Sequence, residues 1–298
     1  MPMFKSGFIA IVGRPNVGKS TLINSLVGEK VAIITPKPQT TRNRITGIKT
    51  TAEGQMIFID TPGIHKARTL FNRRLVDTAR GALSDADVVL FVVSAEKEPG
   101  SDDEFILETL RPVEVPVVLV INKIDLVTRE RLLPLIDDYR RRRDFREVVP
   151  TSALKGFSVD RLERLILDLL PEGPKYFPDD IFTDLPERFL AAEMIREKVI
   201  LLTREEIPYV TAVTVDTFRE VEQKNLIVIQ ATITVEKESQ KGILIGKKGS
   251  MLKEIGTKAR ADLERFFNAA VYLELFVKVS PGWTRDSGRL REYGYAKD

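Results

Sequence analysis

The chain has 298 residues, enough for two domains that each bury a core of their own. It carries 46 basic and 43 acidic residues with 43% hydrophobic content, an ordinary globular composition whose net charge of +3 names no partner by itself. There is no cysteine, which excludes disulfides and thiolate metal sites and fits a reducing compartment. The first seven residues are too few and too polar for a signal peptide, and no apolar run reaches the length of a membrane span, so the expected location is the cytosol.

In the first half, strand and helix patterns alternate. Apolar runs at residues 8–12, 56–59, 87–93 and 115–121 predict buried strands, and Val148 and Val149 end a shorter one. Helical patterns fall at 21–27, 70–83, 103–110, 129–142 and 159–170. This is an α/β pattern, which predicts a mostly parallel sheet covered on both faces. Residues 45–51 and 55–59, joined by Ala52, Glu53 and Gly54, predict a hairpin that adds an antiparallel edge. The pattern stops at Pro171, and through Pro174, Pro178 and Pro186 the chain is rich in proline and aspartate, so 171–186 is expected to be a linker.

From Glu187 the order changes to helix, strand (210–218), strand (226–236), two helices and a last strand (271–279). Thr232, Thr234 and Glu236 alternate with Ile233 and Val235, which predicts an antiparallel sheet with one wet face. The expected organisation is a first domain over 1–170, the linker, an α+β domain over 187–280 and a C-terminal tail over 281–298.

Four motifs of the first domain converge on one chemistry. Gly13-Arg-Pro-Asn-Val-Gly18-Lys19-Ser20 fits G-x4-G-K-[ST] between an apolar strand and an amphipathic helix. In such a loop Gly13, Asn16, Val17, Gly18 and Thr21 surround phosphates, Lys19 reaches the outer phosphates, and the Ser20 hydroxyl binds Mg²⁺. Asp60-Thr-Pro-Gly63 follows a strand, which places a carboxylate where the metal shell needs one and the Gly63 N–H where it can meet the terminal phosphate. Asn122-Lys123-Ile-Asp125 selects the base: a carboxylate at Asp125 accepts both N1–H and the 2-amino group of guanine, whereas adenine presents an acceptor at N1. Ser152-Ala153-Leu154 follows the next strand, with the Ala153 N–H available to guanine O6. A further threonine should close on metal and phosphate; Thr41 is the first choice and Thr40 its rival. The expected catalytic residues are Lys19, Thr41 and Gly63, acting on GTP, with Ser20 and Thr41 on the metal. The segment around these threonines should be a switch ordered by the terminal phosphate.

These motifs, in this order, resemble the Ras-like P-loop GTPases. Within them, Arg14-Pro-Asn-Val, Pro38-Gln-Thr-Thr-Arg42 and Asp60-Thr-Pro-Gly-Ile64 are similar to the TrmE–Era–EngA group. Gly246-Lys247-Lys248-Gly249, between Ile243-Leu-Ile245 and a helix from Ser250, resembles the G-x-x-G loop of a KH domain, and the strand order around it is that of type II. One GTPase domain followed by a type II KH domain resembles the Era family over nearly the whole chain. The resemblance implies binding to the 3′ end of small-subunit (16S) ribosomal RNA and a role in assembly of that subunit. A monomer is expected, with peripheral contact at the inner face of the membrane. It also implies a K⁺ ion seated by Asn16 beside the phosphates. Ras-like enzymes orient water with a glutamine just after D-x-x-G; here Ile64 stands there, so slow intrinsic turnover is expected. A tRNA-modification GTPase would need a cofactor domain, which the chain lacks, and a membrane-associated regulatory GTPase would have only the modest basic bias to rely on.

From Ser239 to Arg260 the chain places six basic residues, Lys241, Lys247, Lys248, Lys253, Lys258 and Arg260, against the single acid Glu254. A glycine loop that lets backbone approach a nucleotide chain, set among such charges, suits RNA, with Gly246, Lys247, Lys248, Gly249, Lys241 and Lys253 as contacts. Residues 140–143 are four arginines at a helix C-terminus, where cations meet the dipole. His65 is expected to be an exposed loop histidine, and Trp283, Tyr293 and Tyr295 to pack onto the second domain.

Overall fold

Val88–Ser94 is wholly buried along its length, as a strand covered on both faces must be. It is the fourth strand (β4) of a six-stranded sheet in the first of two compact units, Met1–Asp184 and Leu185–Asp298. The structure, a computed structural model, describes residues 3–37, 40–63 and 81–295. The expected helix at 70–83 lies outside these residues except for its end, and His65 and Ile64 lie outside them altogether.

The other strands of this sheet are β1 (Lys5–Val12), β2 (Ile45–Thr50), β3 (Gly54–Asp60), β5 (Val117–Asn122) and β6 (Glu147–Pro150), in the order β2-β3-β1-β4-β5-β6. All pairs are parallel except β2 with β3, the hairpin at the edge. The fifth strand begins two residues later than the apolar run suggests, because Pro116 has no N–H to give; its carbonyl still accepts from Val89 N at 2.9 Å. Helices Lys19–Val27, Ser101–Leu110, Arg129–Arg142 and Val159–Leu169 connect the strands. Chain order reverses at β1, between β3 and β4, so the carboxyl ends of β1, β3, β4 and β5 open on one crevice, the usual place for a ligand in such sheets.

The proline-rich segment from 171 is bonded to this first unit rather than hanging between two. Gly173 N donates to Phe4 O at 3.1 Å, Ile48 N to Phe182 O at 2.8 Å and the Thr183 hydroxyl to Thr46 O at 2.7 Å. Gln55, fully buried, holds it: its Oε1 accepts from Tyr176 N (2.8 Å) and Phe177 N (3.0 Å), and its Nε2 donates to Phe177 O (2.8 Å).

The second unit has helix Glu187–Leu202, strands β7 (Ala212–Val221) and β8 (Leu226–Val235), helices Glu238–Ile245 and Ser250–Phe267, and strand β9 (Ala270–Val279). The first strand starts later than expected because Val210 closes a short helix that begins at Ile207, with Pro208 in its first turn. The sheet is mixed, not antiparallel: β7 pairs antiparallel with β8, but β9 runs parallel to β8, which the crossover through two helices permits. The wet face also ends early, since Thr234 is buried. Ile195, Val199, Ile229, Ile233, Ile255 and Leu263 are core residues of this unit.

The expected tail is part of the same unit as far as it is described. Trp283 is completely buried, its Nε1 donates to Val210 O at 2.9 Å, and its ring meets Tyr293 edge-on at 5.4 Å and stacks on Tyr295 at 5.7 Å.

Candidate nucleotide site and nucleic-acid interface

At the carboxyl end of β1 the chain turns sharply into helix Lys19–Val27. Gly18 makes this possible: its φ is 97°, and a Cβ there would lie 2.3 Å from Asn122 Nδ2. No side chain caps this helix, so its first-turn N–H groups remain for an anion. Lys19, 6% exposed, donates to Gly13 O at 3.1 Å and Arg14 O at 3.0 Å. Burial pulls its ammonium down to about 8, against the opposing pull of Asp60. Gly18, Lys19, Ser20, Thr21, Thr41 and Gly63 line one cavity together with Asn16, whose Nδ2 donates to Pro36 O at 2.7 Å.

Three hard oxygens meet where Ser20 and Thr41 line this cavity. Ser20 Oγ is 2.8 Å from Thr41 Oγ1 and donates to Asp60 Oδ2 at 2.7 Å; Thr41 Oγ1 is 3.3 Å from the same carboxylate oxygen. Asp60 is fully buried, and its Oδ1 has no hydrogen-bond partner. Burial pushes its carboxyl up, while Lys19 and the two hydroxyls hold it down. This oxygen set and an orphaned carboxylate atom fit Mg²⁺. Thr40 lines the same cavity, but its hydroxyl is engaged within the segment, 2.6 Å from that of Thr35 and donating to Lys37 O at 2.7 Å, and does not join the Ser20–Asp60 cluster.

The base side is built from two strand ends. Asn122, at the end of β5, donates from Nδ2 to Val17 O at 2.9 Å and accepts from Ala153 N at 3.0 Å, so one side chain ties the phosphate loop to the loop after β6. Asp125 is exposed and accepts the Ser152 hydroxyl at 2.5 Å. Lys123 takes a left-handed conformation, φ 63°, and its ammonium pairs with Glu96 Oε2 at 2.9 Å. Glu96 is absent from the sequence expectations; the only signal for it is its place just past the end of β4.

In the second unit, helix Glu238–Ile245 ends at Gly246, φ 71°, where a Cβ would come 2.8 Å from Met251 N. Lys248 (φ 52°) and Gly249 (φ 79°) continue the turn into helix Ser250–Phe267. Lys247, Lys248 and Lys253 are exposed and make no ion pair among the described residues; Lys241 is half-buried and likewise makes none. The other two cations of this stretch are engaged, Lys258 with Glu254 at 2.8 Å and Arg260 with Glu264 at 3.9 Å. Beside the loop runs a groove lined by Gly249, Leu252, Lys253, Gly256, Arg260 and Leu275, an apolar floor with a basic rim. Of residues 140–143, Arg142 pairs with Asp138 and Glu104 at 3.1 Å, and Arg143 donates to the carbonyls of Leu110 and Val113; Arg140 and Arg141 are exposed.

Residues 8–123 match a family described as 50S ribosome-binding GTPase, and residues 206–284 match a KH domain. The chain is 58% identical to GTPase Era of Syntrophus aciditrophicus (strain SB), covering 98% of this chain and 96% of that protein. It is 54% identical to GTPase Era of Geobacter metallireducens, covering 98% of each. Among solved structures, Era in complex with MgGDPNP and nucleotides 1506–1542 of 16S ribosomal RNA superposes with a TM-score of 0.95 at 46% identity, over 99% of this chain and 100% of that one. A variant of Aquifex aeolicus Era bound to GDP and AlF4⁻ matches with the same scores and coverage. A P-loop domain with a mostly parallel sheet, a KH domain after it and identities above half over nearly the full length leave one assignment: the chain belongs to the Era family of GTPases.

Proposed function

We propose that this GTPase holds the 3′ end of 16S ribosomal RNA in the groove beside the Gly246–Gly249 loop, and that it acts in assembly of the small ribosomal subunit with GTP as its timer. The observation that carries the reading is the set of three exposed lysines, Lys247, Lys248 and Lys253, without an ion pair among the described residues, around a glycine loop open to a nucleotide backbone. The Era relative whose crystal structure contains 16S nucleotides supports the choice of RNA.

In the first unit, the reading gives Mg²⁺ to Ser20, Thr41 and Asp60, and the outer phosphates to Lys19, Gly63 and the loop N–H groups. The metal supplies charge neutralisation at the terminal phosphate. Thr41 then links metal to switch, so loss of the terminal phosphate releases the segment that carries it. Asn16 keeps its Nδ2 on Pro36, which leaves its amide oxygen as the donor for a K⁺ ion. Guanine is read by Asp125, with Asn122, Lys123, Ser152 and Ala153 around it.

The protein is in this view a monomer, and its lack of cysteine fits the reducing environment of the cytosol. Contact with the inner face of the membrane is peripheral in this view, since no helix among the described residues is long and apolar enough to cross a bilayer. The test is fluorescence anisotropy with a labelled RNA copying the 3′ end of 16S RNA and a scrambled strand of the same length, with GTP analogue or GDP present. Tighter binding of the native strand is expected; equal affinity for both would remove the ribosomal assignment.

A further inference from the structure

The second residue of the phosphate loop, Arg14, turns its side chain to a neighbouring helix. Arg14 Nε lies 3.0 Å from Asp103 Oδ1, a charge pair rather than an aligned hydrogen bond, with 14% of the arginine side chain exposed and none of the aspartate. Asp103 stands in the first turn of helix Ser101–Leu110, where its Oδ2 accepts from Gly100 N at 2.8 Å. Tyr139, fully buried in helix Arg129–Arg142, adjoins the pair: burial first, and then the Asp103 charge, pushes its hydroxyl up. Burial likewise pushes the Asp103 carboxyl up, and the Gly100 N–H and the Arg14 guanidinium hold it down.

The main chain of the same arginine faces the reaction. Its carbonyl accepts from Lys19 Nζ at 3.0 Å, next to that of Gly13 at 3.1 Å. Arg14 thus lies between an anchor on a neighbouring helix and the lysine that meets the phosphates. The loop around it is held in unusual backbone, with Asn16 at φ 64° and Gly18 at φ 97°. A short loop of this kind has many alternative conformations, and donors aimed at an anion are effective only when fixed beforehand.

We propose that Arg14 and Asp103 form a positioning pair that locks the phosphate loop to helix Ser101–Leu110 and thereby sets the loop N–H groups and Lys19 for the phosphates of the nucleotide. The inference rests on the nucleotide site described above. A pair with a purely structural role would affect folding alone. A positioning pair affects the phosphate part of binding and leaves the base part, read by Asp125 and Asn122, unchanged.

The experiment compares Arg14→Met, Asp103→Asn, Arg14→Lys and the double variant Arg14→Met/Asp103→Leu in the full chain. Affinity for GDP and GTP is read by calorimetry, affinity for phosphate-free guanosine by ligand-observed NMR, and folding by thermal melting. Arg14→Met and Asp103→Asn should each weaken GDP and GTP about tenfold or more, with guanosine unchanged. The double variant should lose less than the product of the two single losses, because the second change removes a partner already lost. Arg14→Lys should fall between, since it keeps the charge but not the reach and shape of the guanidinium. If Arg14→Met does not fold, Asp103→Asn and Arg14→Lys, which change one atom type or keep the charge, carry the comparison. Unchanged GDP affinity with a lowered melting temperature, or equal loss of guanosine and GDP, would overturn the proposal. Failure of the wild type to bind guanosine would count against the base site instead.

Discussion

Asn122 Oδ1 accepts the backbone N–H of Ala153 at 3.0 Å, and the same amide gives its Nδ2 to Val17 O. Asn122 is 2% exposed, so neither partner has water as a ready substitute. Asn122→Ala would strand a buried N–H and a buried carbonyl and free two loops at once. We expect a loss of about 2 kcal/mol in GDP binding, roughly thirtyfold, in a fluorescent-nucleotide titration. An affinity within twofold of wild type would mean that the tie is incidental.

Asp125→Asn should move preference from GTP toward xanthosine triphosphate. The 2-oxo group of xanthine needs a donor where the amino group of guanine needs an acceptor. Asp125 is exposed and bonds Ser152, so its replacement leaves no buried charge behind and the fold should be kept. Competition between the two triphosphates measures the switch, and an unaltered preference for GTP would show that the base is read elsewhere.

Hydrolysis should run faster in potassium than in sodium, and Asn16→Ala should remove the difference. The position after D-x-x-G holds Ile64, which cannot orient water, so charge must reach the phosphates by another route. Phosphate release in the two chloride salts at equal ionic strength is the measurement. Equal wild-type rates would exclude the ion.

Trp283→Ala should destabilise the second unit by about 3–5 kcal/mol, the usual loss for a fully buried tryptophan. It removes the ring between Tyr293 and Tyr295 and leaves the Val210 carbonyl without its donor. Denaturant unfolding followed by far-ultraviolet circular dichroism would show it; a transition unmoved by the change would make the C-terminal segment a dispensable appendage.

What could be read from sequence follows the nature of each constraint. The phosphate loop and Asn122-Lys-Ile-Asp125 are legible because the ligand's chemistry dictates the residue types, and the strand before each fixes where they lie. Strand direction in the second unit is not legible: a period-2 pattern is the same for parallel and antiparallel neighbours, so β9 could not be oriented from it. Residues 171–186 read as a linker because the bonds of the part up to Asp184 run to distant backbone groups and to Gln55, which leaves no periodicity. Glu96 was missed for a similar reason, since its link to Lys123 spans separate strand ends.

Replacing Lys247 and Lys248 together with Asp should abolish RNA binding and leave GTP binding intact. Both lysines are exposed and without an ion pair among the described residues, so nothing inside the unit depends on their charge. Gly246 and Gly249 carry no side chains, which lets the loop N–H groups and the two ammonium groups meet phosphates at close range. The change takes two positive charges away and sets two negative ones beside the RNA backbone. A milder pair, Lys247→Gln with Lys248→Gln, removes the contacts without adding repulsion, and each lost contact should flatten the salt dependence by a slope of about 0.7 for a single strand. The nucleotide site belongs to the other unit, so GDP affinity serves as the internal control for folding. Filter binding across a salt series, beside a fluorescent-nucleotide titration, separates the outcomes. Undiminished RNA affinity with an unchanged slope would make residues 239–260 a solvated basic face and move the RNA site to another surface of the protein.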